Sequence, residues 1–329
     1  MAAGSSEPTP TADQHLEHGI FPNRIRHLVE DALVGRLAQA AHIVIPRTSD
    51  VDYKCFLYLR ELVRRGAAPA LPPAILFDLL QSDGGDVHSY NVGRTRALVN
   101  ELAASSGRQL SPDDLRNEIA RTNAARAAAR RLVALRRNTP RVTGTEVFPL
   151  LAAFWETDPD HYVAVASEAA REIAMRPMLP GPRVLLTGAP VDAPVLHEAI
   201  ERHGAVVVAE VGPWGMGAAG EDVRCDEDPV AALAEKYRID SVGTRTPAST
   251  VRRWTERMLD GVDAVVVSLP SDDAVFGWDY PALSRLLEEH GIPHACLRGC
   301  QYELPGDADD GRLEATLSVA SRLQDATRG

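Results

Sequence analysis

Arg183–Gly212 reads RVLLTGAPVDAPVLHEAIERHGAVVVAEVG, and its grammar decides the fold. Arg183–Leu186 is a short apolar run, broken by Thr187-Gly188-Ala189-Pro190. Pro194–His203 carries Val195, Leu196, Ala199 and Ile200 at helical spacing. Gly204 stops the helix, and Ala205–Val211 is a second β-branched run. Strand, turn, helix, strand is one βαβ unit. Strands joined by such a crossover run parallel, and ligands of such sheets sit at the carboxyl ends of the strands.

The same grammar continues downstream. Asp228–Tyr237 and Thr250–Asp260 read as helices, Asp263–Leu269 as a strand, and Pro281–His290 as a helix stopped by Gly291. Ile292–Leu297 is a strand and Arg312–Leu323 a closing helix. Gly212–Asp226 is glycine-rich, but it lacks the Lys-Ser/Thr of a phosphate loop and the spacing of a dinucleotide fingerprint.

Upstream, Phe21–Ala40 reads as a helix, Ala41–Pro46 as a strand, Val51–Arg65 as a helix and Pro73–Leu80 as a strand. Arg47-Thr48-Ser49-Asp50 is a loop that also offers N-caps to the helix after it. This alternation predicts a further parallel sheet. Gln81–Val87 is turn chemistry, and His88 to Met178 is helical in pattern. The helices there are Asn91–Ser105, Leu115–Asn138, Gly144–Thr157 and Pro159–Arg176, with Ser111 and Pro112 opening the second. Met178–Pro182 reads as a domain boundary. The expectation is an α/β protein of two parallel-sheet lobes joined by a helical segment. Its divisions are a disordered leader over 1–20, a first lobe over 21–87, a helical connection over 88–178 and a second lobe over 179–329.

A chain of 329 residues can hold two cores. Its net charge of −11 argues against binding nucleic acid or an anionic membrane. The apolar runs are far shorter than a membrane span. Met1–Gln14 is small and polar, without the pattern of a signal peptide, so a cytoplasmic location is expected. Four scattered cysteines are too few for a disulfide framework. Cys296 and Cys300 form a lone CxxxC without further ligands at workable spacing, and Cys55, with Phe56, Leu59 and Leu62, reads as core.

A set of ordered motifs resembles the subunits of the 2-hydroxyacyl-CoA dehydratase and benzoyl-CoA reductase family. They are His88-Ser89-Tyr90-Asn91 through Arg94, Glu101-Leu102, Gly107, Leu110, Asp114-Leu115, Asn123, Arg126 and Thr143-Gly144. The Arg183–Pro190 strand, Asp228-Pro229 with Tyr237, Gly261–Val267, Asp279–Leu283, Gly291-Ile292-Pro293 and Arg312–Ala315 continue the series. The resemblance implies two Rossmann-like lobes and a pairing of homologous subunits as heterodimers. It also implies a [4Fe-4S] cluster held by cysteines in the cleft between lobes, an activator that supplies an electron, and an acyl-CoA substrate.

The chain departs from that pattern at the cluster. Ser49-Asp50 stands where the family has Cys-Asp after the first-lobe strand. Pro270-Ser271-Asp272-Asp273 stands at the later one, and no cysteine precedes Cys55. Hard oxygen donors are poor substitutes for thiolate, so no cluster and no metal is expected in this chain.

The candidate catalytic residues are Ser49, Asp50, His88, Ser271 and Asp272. Helix capping is the competing reading for the Ser and Asp residues. The candidate ligand residues are Tyr90, Arg94, Gly188, Arg245 and Arg253, with solvated arginines as the alternative. His88 and Tyr90 are expected in a loop before a helix, and the helix start near Gly188 is a potential anion seat. The leading expectation is a cluster-free member of the family, a lyase-type partner subunit or a repurposed homologue that acts on a small acyl or acyl-CoA ligand. It would pair with a homologous subunit or with itself. A non-redox lyase or transferase using the Ser, Asp and His residues, and a non-catalytic assembly subunit, are the alternatives.

Overall fold

The computed structural model describes residues 4–17, 19–68, 71–210, 220–224, 228–239, 245, 247–271, 273 and 275–328. In chain order its elements are α1 (Asn23–Leu33), β1 (Ile43–Pro46), α2 (Asp50–Arg64), β2 (Ala74–Phe77), α3 (Gly85–Ser105) and α4 (Pro112–Arg137). Next come α5 (Gly144–Ala152), α6 (Pro159–Ala174), β3 (Arg183–Gly188), α7 (Val195–Glu201) and β4 (Val206–Glu210). The chain closes with α8 (Pro229–Ile239), α9 (Ala248–Met258), β5 (Ala264–Leu269), α10 (Tyr280–Glu289), β6 (His294–Arg298) and α11 (Asp307–Arg328). The fold is mixed α/β, with two parallel sheets packed by helices. No helix among the described residues is long and apolar enough to cross a membrane.

The chain forms two compact units. The first comprises Ala2–Ala120 and Asp222–Thr246, the second Arg121–Glu221 and Pro247–Gly329. In the first unit β1 and β2 pair in parallel, Ile43 beside Ala74 through Pro46 beside Phe77. Cys55, Leu59 and Leu62 of α2 pack with Ile25 and Val29 of α1 and with Ile45 of β1. Their three- and four-residue spacing puts one apolar stripe of each helix on the strands.

The leader differs from the expectation of disorder. Residues 4–17 dock on α1. Ala12 is fully buried, and its N–H donates to the buried Glu30 carboxylate at 2.6 Å. The Ser5 N–H donates to Asn23 Oδ1 at 3.0 Å. Small polar composition does not prevent docking where apolar side chains such as Ala12 and Leu16 reach the core.

In the second unit the strand order is β4-β3-β5-β6, all parallel. β4 and β5 are buried at every position, as strands covered on both faces must be. Val184, Leu186, Leu196, Ile200, Val207 and Val266 form one core layer, with Leu313 and Leu317 of α11 against it. On the other face of the sheet, Leu185, Val265, Val267 and Leu269 pack with Leu287 of α10.

Met178–Pro182 is not a boundary, because the helices before it belong with the sheet after it. The Glu201 carboxylate of α7 accepts the N–H groups of Gly144 and Thr145, at 2.5 and 3.0 Å, at the start of α5. The Leu179 N–H donates to the Pro140 carbonyl at 2.6 Å. The helical connection expected over 88–178 is therefore divided. α3 stays with the first unit, while α5, α6 and α4 from Arg121 onward join the second.

Candidate functional site

The carboxyl ends of β1 and β2 carry a knot of charge in the first unit. Arg47, directly after β1, donates to Asp78, directly after β2, at 3.0 Å. The other Asp78 oxygen accepts from Arg245, also at 3.0 Å. Arg245 donates a further guanidinium N–H to the Arg47 carbonyl at 3.0 Å, and its backbone N–H reaches the Thr48 carbonyl at 3.3 Å. The Arg47 guanidinium stacks over the Tyr53 ring at 4.8 Å. Its hydrogen bond to Asp78 outweighs the burial that opposes its charge and holds it further above its usual pKa. The Arg47 Nε is buried without a partner.

A second knot lies one turn along α2. Asp52 is 3% exposed. Its carboxylate accepts from the Thr48 hydroxyl at 2.6 Å, the Ser49 hydroxyl at 2.9 Å and Arg24 at 3.0 Å. The Asp52 N–H donates back to Ser49 Oγ at 3.1 Å, so Ser49 caps α2. Arginine does not act as a base at neutral pH, and Ser49 has a carboxylate partner but no histidine. The arrangement suits holding an anion better than covalent catalysis.

At the strand ends of the second unit, β3 and β5 approach closely. Gly188 has φ +101°, and a Cβ there would stand 2.3 Å from the Ser268 carbonyl oxygen. Ser268 is fully buried, and its hydroxyl has no partner. After β5, Asp273 accepts the N–H groups of Val275, Phe276 and Gly277 at 3.2, 2.8 and 2.6 Å, which caps a short 3₁₀ turn over Phe276–Trp278. A family model described as 2-hydroxyglutaryl-CoA dehydratase, D-component, matches residues 1–316. The chain belongs to this D-component family. No curated protein matches it.

In this D-component family member the expected site residues have varied places. Ser49 is the α2 cap. Asp50, beside it, has a side chain that is 87% exposed, with Arg47 at 3.7 Å. His88 and Tyr90 are exposed and lie within α3, not in a loop before it. The helix begins at Gly85, because Gly84 and Gly85 open its first turn instead of closing a loop. Arg94 donates to the Leu76 carbonyl at 3.0 Å. Arg245 joins the Asp78 knot, and Arg253 is exposed and donates to Thr250 Oγ1 at 3.2 Å. Ser271 is exposed in the turn after β5, while Asp272 lies outside the described residues. The helix after Gly188 is short and starts at Val195, beyond Pro190–Ala193, so Gly188 meets β5 before any helix terminus. Ser49, Asp50 and Arg245 are thus brought together in the first unit.

Of the D-component chain's described cysteines, Cys55 lies in α2, Cys296 in β6 and Cys300 just after β6. Cys55 is fully buried, and burial pushes its thiol up to about 12. Burial also raises Cys296 and takes Cys300 to about 11. Cys225 lies outside the described residues. Among the described residues, no group of three or more His, Cys, Asp or Glu could hold a metal ion.

Sequence reading passed over Arg24, Arg47, Asp52 and Asp78. A signal existed for Asp52, since Ser49-x-x-Asp52 is the spacing of a cap. Asp78 carried a weaker one, an acid directly after a strand at the end where ligands bind. Nothing local links Asp78 to Arg245, 167 residues away.

Proposed function

We propose that this chain is a dehydratase-family subunit that carries no iron–sulfur cluster of its own and uses the Arg47–Asp78–Arg245 knot to hold the anionic part of a small acyl or acyl-CoA ligand. The unpartnered Arg47 Nε, with the Arg245 guanidinium sharing Asp78 at the strand ends, carries the reading. A donor left buried without a partner costs free energy that a carboxylate or phosphate oxygen would recover.

The donor set supports the cluster-free part of the proposal. The loops after β1 and β5 present the hydroxyls and carboxylates of Ser49, Asp50 and Ser271. Oxygen donors of this kind suit hard ions and fit an iron–sulfur cluster badly. A homologous subunit that bears the cluster would then be the partner, in keeping with a family built from subunits.

The test has two arms. Anaerobic reconstitution with iron and sulfide should give neither bound iron nor sulfide-to-iron absorbance in the visible. A stoichiometric cluster would overturn the first part. Titration calorimetry with CoA and a short acyl-CoA should show binding that Arg245→Gln weakens by about tenfold or more, the worth of one charged hydrogen bond. Unchanged affinity would overturn the second part. A non-redox lyase role is favoured by one observation, the exposed Asp50 carboxylate beside Arg47. It requires Asp50→Asn to abolish turnover while the fold survives.

A further inference from the structure

The second unit carries a polar constellation that none of the strand-end chemistry uses. Tyr280, Ser284 and Glu288 lie at four-residue intervals on α10, so they share one helical face. His294 opens β6, an edge strand of the sheet. His294 Nε2 and Ser284 Oγ are 2.9 Å apart, and His294 Nδ1 is 3.3 Å from the Ile292 carbonyl. A carbonyl only accepts, so this contact is a hydrogen bond in the tautomer that carries its proton on Nδ1. That tautomer leaves Nε2 as a lone pair facing the serine O–H. A nucleophile bonded to a base, with the base oriented by a third group, is the arrangement that activates a hydroxyl.

The neighbours complete it. Tyr280 lies one turn before Ser284 on the same face of α10, and the Tyr280 and His294 rings lie 6.4 Å apart. Burial raises the phenol's pKa, so it stays a donor at neutral pH. Glu288 lies 3.2 Å from Ser284 Oγ and competes for the single serine proton. Tyr280, Ser284 and His294 are half-buried, reachable from solvent and held on rigid elements.

We propose that Ser284, His294 and Tyr280 form an acyl-transfer centre that takes activated carboxylic esters or thioesters. Ser284 Oγ attacks the acyl carbon, and its proton passes to His294 Nε2. The Tyr280 phenol donates to the carbonyl oxygen as that oxygen gains charge. Breaking the bond to the leaving group returns the His294 proton to that group and leaves an ester on Ser284. Water then repeats the sequence, releasing a carboxylic acid and restoring the hydroxyl. No electrons change hands, and the co-reactant is water.

The probe is p-nitrophenyl acetate with the full chain. The expected result is a burst of nitrophenolate and an acetyl group mapped to Ser284 by mass spectrometry of peptides. Ser284→Ala should abolish both. His294→Gln should slow acetylation at least about 100-fold, the usual worth of a general base. Tyr280→Phe should slow it by a similar factor, and it serves as the second reading should the histidine variant melt early. Cys296→Ser should change nothing. Acetyl found only on Cys296 or on lysine, no acetylation at all, or a Ser284→Ala rate equal to that of the parent chain would overturn the proposal.

Discussion

Arg94 donates a guanidinium N–H to the Leu76 carbonyl at 3.0 Å, on the side of β2 that faces away from β1. Pro73 and Phe77 give their carbonyls to Ile43 and Arg47, so Leu76, at the alternate position, points outward. Among the described residues no strand pairs there. Asn91, one turn earlier on α3, accepts the Leu80 N–H at 2.8 Å and donates to the Leu80 carbonyl at 2.9 Å. Helix α3 thus closes a sheet edge with side-chain amide and guanidinium groups, in place of a third strand.

Arg94→Ala should therefore cost about 1.5–3 kcal/mol, the range for a hydrogen bond to a charged group. Asn91→Ala should cost about as much, because it orphans a donor and an acceptor together. Urea unfolding midpoints give both values. An Arg94→Ala chain of unchanged stability that loses affinity for CoA would assign Arg94 to the ligand instead of the sheet edge.

Asp50 and Asp52 are two residues apart and should behave oppositely. Asp52→Asn removes the partner of Arg24 and weakens a buried knot with the Ser49 and Thr48 hydroxyls, at about 1–3 kcal/mol. Asp50→Asn changes an 87% exposed side chain and should stay within about 0.5 kcal/mol. Thermal melts of the two variants side by side check the contrast.

That pair also marks what the sequence could carry. The helical stripe Val195, Leu196, Ala199 and Ile200 and the β-branched runs of β3, β4 and β5 were legible, because period and composition are local properties. The Ser49 cap was legible from its position before an apolar run. The ion-pair partner of Asp52 was not, since Arg24 lies 28 residues away and periodicity says nothing about pairing at that range. The start of α3 was misplaced by six residues, Gly85 against Asn91, because Gly84-Gly85-Asp86 has the composition of a turn as much as of a helix start. The Met178–Pro182 boundary failed for a related reason. Pro and Gly mark a chain reversal equally well inside a unit and between units.

A buried triad in the second unit sets an acid limit. Arg136 donates to Glu210 at 2.9 Å, and the other Glu210 oxygen meets His197, with all three side chains at most 3% exposed. Burial alone would raise the Glu210 pKa, but Arg136 and His197 outweigh it and hold the carboxyl well below its usual range. A depressed carboxylate pKa contributes stability that is fully present above the unfolded value of about 4.3 and is lost as pH falls toward the folded value. Melting temperature should thus fall steeply below about pH 4, and Glu210→Gln should flatten that slope. The same variant should cost about 3–5 kcal/mol at pH 7, because Arg136 stays buried with its Nε and Nη2 already unpartnered. A double change, Arg136→Met with Glu210→Leu, should recover only part of the loss, because it leaves His197 buried without its Glu210 partner. A melt of the Glu210→Gln chain that tracks the parent across acid pH would refute the assignment.

Gly188 gives the sharpest test of how β3 meets β5. Its φ of +101° is a conformation that L side chains rarely adopt, and an added Cβ would lie 2.3 Å from Ser268 O and 3.0 Å from Ser268 N. Those are backbone atoms that the adjacent hydrogen bond, Ala189 N–H to Ser268 O at 2.8 Å, holds in place. They cannot swing aside as a side chain would. Gly188→Ala should cost about 3 kcal/mol or more, the sum of backbone strain and separation of the two strand ends. Gly291→Ala is the control. Its φ is +65°, but open space surrounds the new Cβ, so strain alone acts, at about 1 kcal/mol. Equal losses at the two glycines, read from urea midpoints, would mean that the strand ends yield, and the close approach of β3 to Ser268 would then impose no constraint on this edge of the fold.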